Sequence, residues 1–172
     1  MPPNEPAASK PIAIVGFMGS GKTTIGRQLA SRLKLDFIDT DRVIEEQFGL
    51  PVAEIFERHG EQAFRAAERE TIARHVAGPP RILSLGGGAF ADPELRALLD
   101  SKAMTVWLDP PFALILERLA RSDKRPLAKD KTSGELRDLW NERRKYYSEA
   151  QIRIISGNDS EQTVGQILGR LT

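Results

Sequence analysis

The run Gly16-Phe17-Met18-Gly19-Ser20-Gly21-Lys22-Thr23 has the residue types and spacing of a phosphate-binding loop, G-x-x-x-x-G-K-[ST]. Its glycines let successive backbone N–H groups turn inward around phosphate oxygens. A helix starting at Lys22 would add its positive end at the same place. The Lys22 ammonium can reach β- and γ-phosphates, and the Thr23 hydroxyl is a suitable oxygen ligand for Mg²⁺. Gly19, Ser20, Gly21, Lys22, Thr23 and Thr24 are the candidate nucleotide-binding residues. No Asn-Lys-x-Asp guanine-reading motif is present, so ATP is expected rather than GTP.

Other side chains could serve an acceptor. Asp39 and Asp41 stand two apart at the end of an apolar run. On an extended backbone they share a face, and ligands of parallel sheets bind at the strands' carboxyl ends. Either could instead cap the next helix. Arg65 and Glu68 are three apart, hence on one helical face; a solvated ion pair is the plain alternative. Arg65 and Arg143 could grip a carboxylate in the planar, bidentate way that lysine cannot copy. Gly86, Gly87 and Gly88 follow an apolar strand and allow close backbone approach to a ligand. Arg118 and Arg125 are candidate cations for the phosphates. Arg125 lies in a polar loop that could close over the site. The acidic residue often found after a third strand is missing, and Ser84-Leu85-Gly86 stands there.

Asp39-Thr40-Asp41, Phe64-Arg65 with Glu68, Leu85-Gly86-Gly87-Gly88, Arg125-Pro126-Leu127 and Arg143, in this order and spacing, resemble the shikimate kinase family. The resemblance runs from about Ile12 to Leu171. It implies a three-layer, nucleoside-monophosphate-kinase-like P-loop fold. A five-stranded parallel sheet would carry a helical substrate-binding insertion (about 41–77) and a lid (about 121–134). It implies transfer of the ATP γ-phosphoryl group to the 3-hydroxyl of shikimate, a step of aromatic amino-acid biosynthesis. By the same resemblance Thr23 and Asp39 serve Mg²⁺, Asp39 through water. Asp41 holds the substrate hydroxyls, Arg65, Glu68, Gly86 to Gly88 and Arg143 hold the substrate, and Lys22, Asp41 and Arg125 act in catalysis. Two departures stand out. Ala128 follows Arg-Pro-Leu where the family usually has Leu, which would soften lid packing. No arginine lies near Asp159 to Gln162, where some relatives have one. Competing readings are a gluconate or nucleoside-monophosphate kinase, and a nucleotide-binding regulatory module without phosphotransfer.

These residues need a scaffold, and its elements can be read off. Strands are expected at Ile12–Gly16, Leu35–Ile38, Arg81–Leu85, Met104–Leu108 and Ile152–Ile155. Helices are expected at Lys22–Leu33, Phe112–Ala120, Glu135–Ala150 and Ser160–Leu171. The stretch Arg42–Ala77 reads as two helices joined by a turn, with breaks near Gly49-Leu50-Pro51 and His59-Gly60. The polar, charged stretch Arg121–Gly134 reads as a mobile loop. Alternating strands and helices predict an α/β fold with a largely parallel sheet.

The 172 residues suit one domain, with residues 1–10 a proline-rich disordered leader and 11–172 the kinase domain. Lys and Arg total 25 against 24 Asp and Glu, so no basic footprint for nucleic acid is present. There are no cysteines, which excludes disulfides and thiol chemistry. The apolar runs are too short to span a bilayer, and a cytoplasmic monomer is expected. His59 and His75 lack metal-ligand spacing. Trp107, Trp140, Tyr146 and Tyr147 are expected to pack rather than to line a cofactor site.

Overall fold

Ile12–Val15 is a run of four apolar residues with no polar alternation, the pattern of a strand covered on both faces. In the computed structural model, which describes residues 8–122 and 130–171, it forms β1, buried throughout. The phosphate loop leads from it into α1 (Lys22–Leu33). Next come β2 (Asp36–Asp39), α2 (Thr40–Phe48), α3 (Val52–Val76) and β3 (Arg81–Ser84). A single 3₁₀ turn (Ala89–Ala91) precedes α4 (Pro93–Lys102) and β4 (Met104–Leu108). The chain ends with α5 (Phe112–Ala120), α6 (Ser133–Tyr147), β5 (Ile152–Ile154) and α7 (Ser160–Arg170).

The sheet has five parallel strands in the order β2-β3-β1-β4-β5. Residues along a strand alternate between its faces, and each face has its own core. Ala13, Val15, Leu83, Leu85 and Trp107 pack on one side with residues of α3 to α6. Ile12, Ile14, Ile82, Val106, Leu108 and Ile152 pack on the other with α1 and α7. This is the expected three-layer fold. A third, smaller core of Ile44, Ile55, Phe64 and Ala67 belongs to α2 and α3, the expected insertion. At Gly60 (φ 82°, ψ 165°) α3 kinks, where a break was read from the sequence.

Several boundaries differ from expectation: β2 runs one residue later, α2 begins at Thr40, α6 ends at Tyr147 rather than Ala150, and β1, β3, β5 and α7 each end one residue early. α6 starts at Ser133, two residues early, because Thr132 and Glu135 form a reciprocal capping box. Helix α4 was not expected at all. Its local signals are plain in retrospect: Asp92 caps it by accepting from Glu94 and Leu95 N–H, Pro93 opens it, and Leu95 and Leu99 form its buried stripe. Of the expected lid at about 121–134, residues 123–129 lie outside the described residues, and α6 begins within its last two positions.

Candidate active site

The phosphate loop turns through left-handed backbone at Gly19 (φ 78°) and Gly21 (φ 95°), conformations that glycine adopts without strain. No side chain caps α1 at Gly21, and no acidic residue lies in its first turn. The positive end of α1 is therefore suited to an anion. Lys22 Nζ donates to the carbonyls of Gly16 (2.8 Å) and Phe17 (3.1 Å), so the ammonium reaches back across its own loop. Ser20 is buried within the loop, whereas Thr24 is exposed on α1. Arg118 projects from α5 to the far side of the loop. Its guanidinium donates to Gly19 O (3.0 Å) and Gly157 O (2.9 Å), joining the phosphate loop to the segment after β5.

A cavity of about 500 Å³ adjoins the loop, lined among others by Lys22, Thr23, Asp39, Asp41, Arg65, Glu68 and Arg143. Its acidic groups come from the end of β2 (Asp39), from α2 (Asp41) and from α3 (Glu68). β2 pairs with β3 so that Asp39 lies opposite Ser84. Asp39 has two jobs: Oδ1 caps α2 by accepting from the Asp41 and Arg42 N–H groups, and Oδ2 accepts from Thr23 Oγ1 at 3.2 Å. The capping aspartate is thus Asp39, and Asp41, in the first turn of α2, lines the cavity. The Asp41 carboxyl is pushed up to about 6, chiefly by burial and next by the Asp39 charge, with Lys22 opposing. Glu68 is buried on α3, where one carboxylate oxygen accepts from Arg65 Nη1 at 2.7 Å. Burial raises its pKa, and Arg65 opposes the rise.

Asp41 Oδ1 and Glu68 Oε1 are buried and have no hydrogen-bond partner among the described residues. Both point at one spot: a Cβ built on Gly86 would meet them at 2.6 and 3.1 Å. A buried acceptor without a donor costs roughly 1–3 kcal/mol, and the missing side chain of Gly86 leaves room for both carboxylates.

Cationic groups adjoin the acidic ones. A Cβ on Gly88 would meet Arg65 Nη2 at 2.5 Å and Arg143 Nη1 at 2.8 Å, so two guanidinium groups converge over this glycine. Arg65 is steered by Glu68 and by the rings of Phe64 and Phe56, 5.4 and 6.0 Å from its centre. Arg143 Nη1 donates to Gly87 O at 2.8 Å. The Arg65–Glu68 pair is thus part of the cavity rather than a surface ion pair. Tyr147 was read from the sequence as packing alone. It is buried and its hydroxyl donates to the same Gly87 carbonyl at 2.5 Å. The four-residue spacing of Arg143 and Tyr147 puts both on one helical face, which is the only local signal of that shared duty.

The expected residues Lys22, Thr23, Asp39, Asp41, Arg65, Glu68, Gly86, Gly87, Gly88 and Arg143 all line this one cavity. Gly19, Ser20, Gly21, Thr24 and Arg118 belong to the phosphate loop and its surroundings. Arg125 lies outside the described residues. Thr23 Oγ1 and Asp39 Oδ2 put two hard oxygens side by side. No cluster of three or more His, Cys, Asp or Glu able to cage a metal occurs among the described residues. Such a sparse oxygen set fits Mg²⁺, which keeps several waters and takes phosphate oxygens.

A family model described as shikimate kinase matches residues 18–172. The chain is 44% identical over 166 residues to the shikimate kinase of Novosphingobium aromaticivorans, covering 92% of this chain and 86% of that one. It is 40% identical over 161 residues to the shikimate kinase of Persephonella marina, covering 93% and 98%. The structure of shikimate kinase from Acinetobacter baumannii in complex with shikimate superposes with a TM-score of 0.90 at 33% identity, over 96% of this chain and 94% of that one. A P-loop sheet with acidic and cationic groups lining one cavity, together with this likeness over nearly the whole chain, assigns the protein to the shikimate kinase family.

Proposed function

We propose that this chain transfers the γ-phosphoryl group of ATP to the 3-hydroxyl of shikimate, giving shikimate 3-phosphate and ADP. The observation that carries the reading is the polarity of the cavity. Two guanidinium groups meet over Gly88, and two partnerless carboxylate oxygens meet over Gly86. Shikimate carries one carboxylate and three hydroxyls on a small ring, a matching set of groups.

In this reading Arg65 and Arg143 hold the carboxylate, with Glu68 steering Arg65. Asp41 accepts from the substrate hydroxyls and orients the 3-hydroxyl beside the phosphate loop. That oxygen attacks the γ-phosphorus, the bond to the β–γ bridging oxygen breaks, and the hydroxyl proton passes to Asp41. A carboxyl near pH 6 is a better base than an ordinary aspartate. Lys22, the loop N–H groups and α1 stabilise charge on the transferring group. Arg118 supports the loop. Arg125 is assigned, by the family resemblance, to neutralise phosphate charge from the lid. Thr23 and Asp39 would hold Mg²⁺, which neutralises the phosphate oxygens when bound.

No helix among the described residues is long and apolar enough to cross a membrane. We take the enzyme to act as a monomer in the cytoplasm, in aromatic amino-acid biosynthesis. The test is ADP release with ATP and Mg²⁺ in the presence of shikimate, gluconate or AMP. Stimulation by shikimate alone is expected; stimulation by gluconate or AMP instead would overturn the acceptor assignment.

A further inference from the structure

The neighbouring arginines near the end of α6 point to different places. Arg143 faces Gly87 and Gly88. Arg144 turns to Asp109, which follows β4 and forms an ion pair with it. Residues adjacent on a helix project about 100° apart. Where Arg144 is held therefore decides where Arg143 aims.

Asp109 is built as an anchor. It is 5% exposed, and its N–H donates to Ile154 O at 2.8 Å, tying it to the sheet edge at β5. Its second carboxylate oxygen accepts from Arg153 Nε (2.9 Å) and Nη2 (2.7 Å). Arg144 and Arg153 both stack on Trp107, at 5.0 and 4.9 Å, and Trp140 covers Arg144 at 4.4 Å. A buried carboxylate so placed compensates two cations that share one indole ring. Without it the guanidinium groups would repel each other, and Arg144 would lose its directional partner. The remaining polar tether of α6 in the cavity is the line from Arg143 and Tyr147 to Gly87 O. Leu136, Trp140 and Tyr147 pack α6 into the core, and the Arg144–Asp109 contact, about 100° from the line of Arg143, adds a polar restraint on its rotation.

We infer that Asp109 is a positioning residue for substrate recognition. By holding Arg144 it fixes the rotation of α6 and aims Arg143 at the substrate carboxylate. The inference rests on the shikimate reading above. The arrangement also accounts for which arginine of the adjacent pair reads the ligand: Arg143 is free to turn inward because Arg144 is committed to the sheet.

The test compares two ligands on the intact chain by calorimetry: shikimate, and its methyl ester, which keeps the ring and hydroxyls but not the negative charge. For Asp109→Asn, shikimate binding should weaken about tenfold, the scale of a loosened charged hydrogen bond. Ester binding and the KM for ATP should stay within about twofold. Equal weakening of both ligands would mean a merely structural role and would overturn the inference, as would unchanged shikimate binding. If Asp109→Asn does not fold, Arg144→Lys, which loses the planar fork, is put through the same comparison with the same selective loss expected. Failure of the unmutated chain to bind shikimate would instead contradict the functional reading, so the two failures are distinct.

Discussion

Asp41 meets two demands that oppose each other. Its carboxylate must be ionised to take a proton, yet the cavity that excludes water penalises the charge. With a pKa of about 6 in the folded chain against 3.8 for the free group, the folded state holds this proton more tightly than the unfolded one. Its cost to stability is therefore complete above about pH 6 and gone below about pH 4. Asp41→Asn should raise stability at neutral pH by about 1–3 kcal/mol while lowering kcat by about 10²–10⁴. Thermal melting and steady-state kinetics on one preparation check both signs, and a variant that is less stable and still active would contradict the assignment. The acid limb of kcat/KM should fall near pH 6 and disappear in this variant's residual activity. Arg65 belongs at the same scale. Its loss removes a charged hydrogen bond of about 1.5–3 kcal/mol, so Arg65→Ala should raise the KM for shikimate about 10–100-fold and leave that for ATP unchanged. An unaltered shikimate KM would remove Arg65 from the carboxylate site.

At the scale of elements, α6 is where sequence and structure part company. Its helical span was legible because it carries apolar residues at helical spacing. Its work was not. Arg143 and Tyr147 meet Gly87, more than fifty residues away, and Arg144 meets Asp109 across the fold. Contacts of that range leave no local spacing to read. The phosphate loop and α1 were legible for the opposite reason, since eight consecutive residues carry the whole motif. The pair Asp39 and Asp41 was half legible: spacing put both at a strand end, but only the φ/ψ of Asp39 decided which one caps α2. The glycines offer a test at this scale. A methyl group at Gly88 would meet the flexible ends of Arg65 and Arg143 rather than backbone. Gly88→Ala should therefore fold, with a melting temperature close to that of the unmutated chain, and bind shikimate at least about tenfold more weakly. Unchanged affinity would show that the guanidinium groups are not gathered over this glycine. Thr132→Ala, by contrast, removes the α6 capping box and should cost about 1 kcal/mol of stability, read by chemical denaturation.

At the scale of the whole molecule, three cores divide the labour. The two sheet-face cores fix β1 and the phosphate loop, whereas the small core of α2 and α3 carries Asp41's helix and the Arg65–Glu68 pair. The parallel sheet was legible from alternating apolar runs. The strand order was not, because it is set by crossovers that no single segment encodes. Ile155 is the only exposed large hydrophobic among the described residues, and the monomer is a proposal. Sedimentation should give a mass near 19.1 kDa, and a dimer's mass would overturn that expectation. The central claim, phosphoryl transfer to shikimate in this cavity, is tested most directly by following the phosphorus. With ATP, Mg²⁺ and shikimate, ³¹P NMR should show a new phosphate monoester on carbon 3 of the ring, growing in step with ADP. Growth of inorganic phosphate alone, with no ester, would contradict it.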